Sequence, residues 1–314
     1  MIPAAFDYVV PSSLPEAVAE LVKHGQEAKV LAGGHSLIPL MKLRLSTPSF
    51  LVDIGRISNL NYIREEDGHI AIGALTSHHD IELSDLLKQK LPLLTSAASQ
   101  IGDPQVRNRG TIGGAAAHAD PFGDFPACLL ALDAEFKVVG PKGERSIAAK
   151  DFFVDTFTSS LEPNEILREI RVATPPPGSR ATYLKFSRRS QDWAIVAVAA
   201  QVRVTGHEVT SVAIGLTGMG SRPLRASGVE QALRGKAGHD DELRKAAERA
   251  AEGTDPPQDL NGSPDYRRHL AQVLVRRALE QVTAHHSDGE RGGGVLPPLS
   301  LNSAHAGPSR FVDR

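Results

Sequence analysis

The sequence predicts an α+β protein of two domains. Three observations lead there. A chain of 314 residues with 41% hydrophobic content can bury a sizeable core, and its length favours two domains over one. Helical patterns are interspersed with short β-branched runs, in no regular alternation. A Pro-rich linker, "ATPPPGS" at 173–179, separates two stretches of different pattern. The expected boundaries are 1–175 for the first domain and 179–284 for a smaller α+β domain, with 285–314 a Gly-, Pro- and Ser-rich tail expected to be disordered. No internal repeat is visible.

The elements follow in order. In "PSSLPEAVAELVKHG", Ser13 and Glu16 have capping-box spacing, Ala17, Val18, Leu21 and Val22 form an apolar stripe, and Gly25 is placed to end the helix. "AKVLAGG" reads as a buried strand running into a glycine turn, "FLVDIG" as a second strand and "HIAIGALTS" as a third, the last preceded by polar turn residues in "REEDGH". Residues 80–101 hold two helical patterns split at Pro92. From Ile101 to Leu132 glycines and prolines become dense, so a long functional loop is expected before the apolar helix around "FPACLLAL". "EFKVVGPKGERSI" predicts a hairpin around Pro141–Gly143, and "NEILREIRV" a strand that closes the domain. Beyond the linker, "ATYLKFSRR", "WAIVAVAAQVRVTG" and "EVTSVAIGLTGMG" have strand character, while "GVEQALRG", "DDELRKAAERAAEG" and "DYRRHLAQVLVRRALEQV" have helical spacing. In the last helix Leu270, Val273, Leu274, Val275, Leu279 and Val282 share a face, with arginines opposite.

Composition removes several classes of function. Thirty-five basic against thirty-seven acidic residues, without a segregated basic stripe, argue against nucleic-acid binding. No stretch approaches the length of apolar chain needed for a transmembrane segment, and "MIPAAFDYVVPSS" lacks the charged and apolar regions of a signal peptide, which sets a cytoplasmic expectation. The single cysteine, Cys128, excludes an internal disulfide and a four-thiolate cluster, and reads as a small core residue.

The motifs narrow the chemistry further. His35 and Ser36 are adjacent and point apart, and the surrounding G-H-S-L-I is not G-x-S-x-G, so a hydrolase pair is not supported. Neither P-loop nor Rossmann spacing occurs. His78 and His79 are consecutive and lack the helical spacing of a metal site, so a solvated or hydrogen-bonded pair is expected. What remains is two glycine-rich segments, Ala32–Ser36 and "TIGGAAAHAD" at 111–120. Each reads either as a tight turn or as a nest of backbone N–H groups able to bind phosphate without charged side chains.

These segments, together with "FDYVVPSSLPEAVAEL", "LAGGHSLIPLMKLRL", "LVDIGRI", "IGALTSHHDI", "IGDPQVRNRGTIGG", "AHADPFGDFPA" and "YLKFSRRSQDWAIVAVA", resemble the FAD-binding medium subunit of the molybdenum hydroxylases, most of all the carbon monoxide dehydrogenase type within the xanthine dehydrogenase group. The resemblance covers about residues 1–284. It implies a two-part FAD-binding domain of the vanillyl-alcohol oxidase (PCMH) type over 1–175, followed by a C-terminal domain of the carbon monoxide dehydrogenase flavoprotein type. By position it implies that Ala32, Gly33, Gly34, His35 and Ser36, with Thr111, Ile112, Gly113, Gly114 and Ala115, hold the pyrophosphate and ribityl chain. It further implies that Asp124 bonds farther along non-covalently held FAD, that Leu167 makes an apolar contact, and that Lys185 approaches from the second domain.

Trp193 stands where relatives carry tyrosine or an aliphatic residue beside the flavin ring; it reads as either an aromatic cover or ordinary core filling. Ala115 replaces a polar residue found in relatives.

The resemblance also implies a division of labour. The flavin carries the redox step while the protein positions it, so no catalytic side chain is nominated. The molybdenum cofactor and [2Fe-2S] clusters are expected on a large molybdenum-binding and a small iron–sulfur partner, in a heterotrimer that pairs into a dimer. Electrons would pass from the iron–sulfur partner through FAD to NAD+, a quinone or oxygen. The competing expectation is a self-sufficient oxidase of the vanillyl-alcohol type, with His35 as the candidate for a covalent flavin link.

Overall fold

The computed structural model describes residues 2–206 and 208–284; the tail at 285–314 lies outside the described residues. The first helix, α1 (Leu14–His24), shows how local sequence sets the frame. The Ser13 hydroxyl accepts from the Glu16 amide, and Gly25 turns the chain at φ 55°. The capping interaction is offset from the expected box, because the Glu16 carboxylate accepts from the Ser12 amide and hydroxyl instead of the Ser13 amide. Ala17, Val18 and Leu21 are buried; Val22, expected in the stripe, is exposed. Burying Leu21 contributes about 2 kcal/mol. The buried face of α1 packs on a small parallel sheet of β1 (Asp7–Val9), β2 (Ala28–Leu31) and β3 (Phe50–Asp53), in the order β1-β3-β2. The six-residue helix α2 (Leu37–Lys42) stands between β2 and β3, straight after the first glycine segment.

The second part begins with a hairpin, β4 (Ile63–Glu66) and β5 (His69–Gly73). "IREE" is thus a strand, and the turn is confined to Asp67 and Gly68, both at positive φ. Three helices follow where two were expected: α3 (His78–Leu83), α4 (Asp85–Lys90) and α5 (Pro92–Ser99). Ser84 divides the first two, ending α3 and capping α4 through its hydroxyl to the Leu87 amide. The expected long loop is also mostly helical, as α6 (Pro104–Arg109), α7 (Ile112–His118) and α8 (Asp124–Ala131). Asp103 and Thr111 cap the first two with their side chains, which is why a glycine-dense stretch is helical here.

The hairpin β6 (Glu135–Gly140) and β7 (Gly143–Ala148), the helix α9 (Ala149–Phe152), the short pair β8 (Phe153–Asp155) and β9 (Thr158–Ser159), and β10 (Ile166–Ala173) complete this part. Its sheet is antiparallel with order β4-β5-β10-β6-β7.

After the Pro-rich turn, an antiparallel sheet runs β11 (Ser179–Phe186), β12 (Val196–Thr205), β13 (Glu208–Thr217) and β14 (Leu224–Arg225) in sequence order. It is covered by α10 (Ser227–Leu233), α11 (Asp240–Ala247) and the long α12 (Pro264–Thr283). α12 buries Leu270, Leu274, Val275, Leu279 and Val282 as expected, while Val273 is only half-buried. Its arginines are not all opposite the apolar face: Arg267 is fully buried. No helix among the described residues is long and apolar enough to cross a membrane.

Candidate functional site

The two glycine segments meet backbone to backbone. A Cβ placed on Gly33 would stand 2.0 Å from the Arg109 carbonyl oxygen and 3.1 Å from the Gly110 Cα. Only glycine permits that approach. On the far side the second segment is zipped to the chain after β5: the Gly113 amide donates to the Ala74 carbonyl, the Ile112 amide to the Thr76 carbonyl and the His78 amide to the Gly110 carbonyl, at 3.0, 3.0 and 2.9 Å. A Cβ on Gly113 would lie 2.5 Å from that of Ala74. Ala74 in turn donates to the Arg168 carbonyl at the β10 irregularity next to Leu167, whose side chain is 4% exposed in the largest core cluster.

The segments differ in what they offer a ligand. In the first, Gly34 adopts φ 79°, and no acceptor among the described residues receives the amides of Gly33, Gly34, His35 and Ser36. His35 and Ser36 are exposed, and the Ser36 hydroxyl makes no capping bond to α2. Four consecutive N–H groups without an acceptor, beside a left-handed glycine, are the components of an anion-binding nest. The expectation of a second such nest at Thr111–Ala115 does not hold. Those residues are the cap and first turn of α7, and the amides of Ile112–Ala115 are taken, Gly114 by the Thr111 hydroxyl at 3.1 Å and Ala115 by the Thr111 carbonyl at 2.9 Å. Ile112 and Gly113 are buried, which leaves the half-buried Gly114 and Ala115 as the surface of this wall.

Beneath the junction lies His78, 6% exposed, tilted against Phe125 at 5.1 Å and pressed under Gly110, with its Nδ1 unpartnered. The expectation of a solvated or hydrogen-bonded pair fails for this member. Burial, with nearby His35 and Arg107 acting in the same sense, lowers its pKa to about 4, so the ring is neutral at pH 7. No cluster of metal-ligating side chains occurs among the described residues.

The remaining predicted residues gather on the side of α8, β11 and the segment before β12. Asp124, 8% exposed, accepts from the Tyr183 hydroxyl at 2.6 Å and from Lys185 Nζ at 3.1 Å, and Lys185 also donates to the Gln100 carbonyl at 3.0 Å. Burial raises the Asp124 carboxyl, with Lys185 and Tyr183 opposing. Cys128 is fully buried below it, as a core residue. Trp193 is 69% exposed and therefore does not fill the core. Its indole lies near Asp120, whose carboxyl is raised by burial against the opposing effects of the Phe122 amide, His118 and the indole. Sequence reasoning missed Ala74, Thr76 and His78 as parts of the frame. "ALTSHH" carries no glycine and no alternation that would mark it.

The FAD binding domain in molybdopterin dehydrogenase matches residues 4–175, and the carbon monoxide dehydrogenase flavoprotein C-terminal domain matches 181–282. The chain belongs to the molybdopterin dehydrogenase FAD-binding family. Within that family it is 44% identical to the carbon monoxide dehydrogenase medium chain of Hydrogenophaga pseudoflava over 90% of this chain and 99% of that one. It is 39% identical to the glyceraldehyde dehydrogenase medium chain of Sulfolobus acidocaldarius over 90% of this chain and 100% of that one. A solved carbon monoxide dehydrogenase from Hydrogenophaga pseudoflava, lacking the Mo-pyranopterin moiety of the molybdenum cofactor, superposes with a TM-score of 0.89 at 45% identity, covering 90% of this chain and 99% of that chain. Quinoline 2-oxidoreductase from Pseudomonas putida does so with a TM-score of 0.86 at 31% identity, over 90% and 99%. The chain is an oxidoreductase flavoprotein, the FAD-carrying medium subunit of a molybdenum hydroxylase. The free amides of the first loop and the glycine contact that seats it fit a bound pyrophosphate.

Proposed function

We propose that this chain holds FAD non-covalently, receives electrons from a small iron–sulfur subunit and delivers them to a terminal acceptor such as NAD+, a quinone or oxygen. FAD supplies the redox chemistry, since it accepts an electron pair and releases it to a second partner. The observation that carries the reading is the run of four unpartnered amides at Gly33–Ser36, held in place by the contact of Gly33 with Arg109. On this reading Ala32–Ser36 bind the pyrophosphate, and Gly114 and Ala115, capped by the buried Thr111, line the facing wall. Ile112, Gly113 and Leu167 support that wall from the core. The buried Asp124–Lys185 pair keeps a fixed polar group beside the cofactor, and the exposed Trp193 covers one face of the flavin ring.

The proposed domain division is 1–175 for FAD and 179–284 for the cover over it. The large partner bears the molybdenum cofactor and the substrate pocket, and the assembly is a dimer of heterotrimers acting in the cytoplasm.

The reading is tested by mixing the FAD-loaded full chain, anaerobically, with its iron–sulfur partner reduced beforehand and freed of reductant. Bleaching of the flavin's visible absorption is expected; a fully loaded flavin that stays oxidised overturns the proposal. Trp193→Ala should leave FAD bound and alter the relative rates of reoxidation by oxygen and by a bulky quinone, because one face of the ring is uncovered. Unchanged rates with both acceptors would remove Trp193 from the flavin face.

A further inference from the structure

The segment that carries Trp193 is fastened from α12 by the buried side chain of Arg267. Residues 187–194 run without regular structure between β11 and β12. Their base is closed by the Ile195 amide, which donates to the Phe186 carbonyl at 2.7 Å. The Ile195 carbonyl accepts from Nη1 of Arg267, in the first turns of α12. Arg267 is fully buried and is the largest such side chain in the described protein. Its Nη2 donates to Asp259 at 2.7 Å, and its guanidinium carbon lies 5.3 Å from the centroid of the Phe122 ring. Phe122 is held by its amide, which donates to Asp120 at 2.9 Å, and Asp120 lies near the Trp193 indole. A Cβ on Gly218 would meet the Ile195 carbonyl oxygen at 2.4 Å, so the backbone is kept bare where that carbonyl turns to Arg267.

A buried guanidinium is a poor way to gain stability, since an apolar residue of similar volume generally packs as well or better. What it provides is a fixed fork. Here the fork spans the Ile195 carbonyl and Asp259, with the Phe122 ring against its plane.

We propose that Arg267 is a positioning residue for Trp193: it fixes Ile195, two residues after the indole, and the Phe122 ring, and so sets where Trp193 lies against the flavin. The inference rests on the reading that Trp193 covers the flavin. Asp259, whose side chain keeps 35% of its surface exposed, is the outer half of the fastening.

Trp193 is the sole tryptophan, so its emission in the full chain reports this position alone. In the unaltered chain, added FAD should quench that emission, and its polarisation should decay slowly. Asp259→Asn and Arg267→Met should each diminish the quenching and speed the depolarisation, with the far-UV circular dichroism retained. Losing one hydrogen bond to a charged group shifts the ratio of seated to unseated segment by about tenfold. Arg267→Lys, which keeps the charge without the fork, should show the same loss. Depolarisation is also read without flavin, so a variant that loses FAD still gives an answer. Quenching and depolarisation unchanged in the folded variants overturn the proposal. If Arg267→Met does not fold, Asp259→Asn decides by the same criterion. An absence of quenching in the unaltered chain instead removes Trp193 from the flavin, and the inference falls with that reading.

Discussion

Gly33→Ala is expected to cost the chain its flavin while leaving it folded. The added methyl would lie 2.0 Å from the Arg109 carbonyl oxygen and 2.9 Å from its carbon, both backbone atoms that no rotamer change can move aside. The loop must therefore withdraw by roughly an ångström, and a displacement of that size at a binding constellation costs about 100-fold. All four free amides of Gly33–Ser36 move with it. Overpacking of this kind also lowers stability by about 1–3 kcal/mol, less than a domain of this size loses on unfolding.

Gly25→Ala is the control. Gly25 has φ 55° with nothing near its absent Cβ, so that variant carries the left-handed strain without disturbing the loop and should keep its FAD. Titration of each chain with FAD, followed by flavin fluorescence, separates the two. A Gly33→Ala chain of unaltered affinity would mean that the contact with Arg109 does not set the loop.

The second large effect is acid sensitivity through His78. Its pKa is about 4 in the folded chain against 6.5 for the free side chain, so the unfolded chain binds a proton that the folded one refuses. The resulting stability is complete above about pH 6.5 and drains away as the pH falls towards 4, by about 2 kcal/mol between pH 7 and pH 5. Asp120 and Asp124, raised by burial, act in the opposite direction and offset part of it. His78→Phe keeps a ring against Phe125 and removes the titration. Urea unfolding at pH 7 and pH 5 should therefore show a smaller acid loss in the variant than in the parent. Equal losses would show that the ring is solvated.

Where one local rule governs, the sequence foretold the structure well. The cap at Ser13, the end at Gly25, the hairpin at Pro141–Gly143 and the apolar face of α12 all follow from spacing alone. The failures occur where two rules compete. Glycines at 102–123 suggested a loop, yet side-chain caps from Asp103 and Thr111, with the alanines behind them, made helices of it. Gly33 and Gly113 were read as making room for a ligand, whereas the space they leave is occupied by Arg109 and Ala74 of the same chain. Among the described residues, the amides of Gly33, Gly34, His35 and Ser36 have no acceptor. Nothing local marks Arg267 as buried either. Its place depends on Ile195 and Phe122, far away in sequence, and a periodicity rule assigns every arginine of a helix to water.

The acceptor-free amides of Gly33–Ser36 have one more consequence. Peptide nitrogens have no pKa in the range where proteins survive, so a grip made of them cannot be loosened by protonation as a lysine- or histidine-based grip is strengthened or weakened. On the proposed reading, acid acts on this loop's hold only through the phosphates or through the frame around the loop, whose acid-labile member is His78. Flavin release on acidification should coincide with loss of structure, so that the holoprotein keeps a constant affinity until it stops being folded.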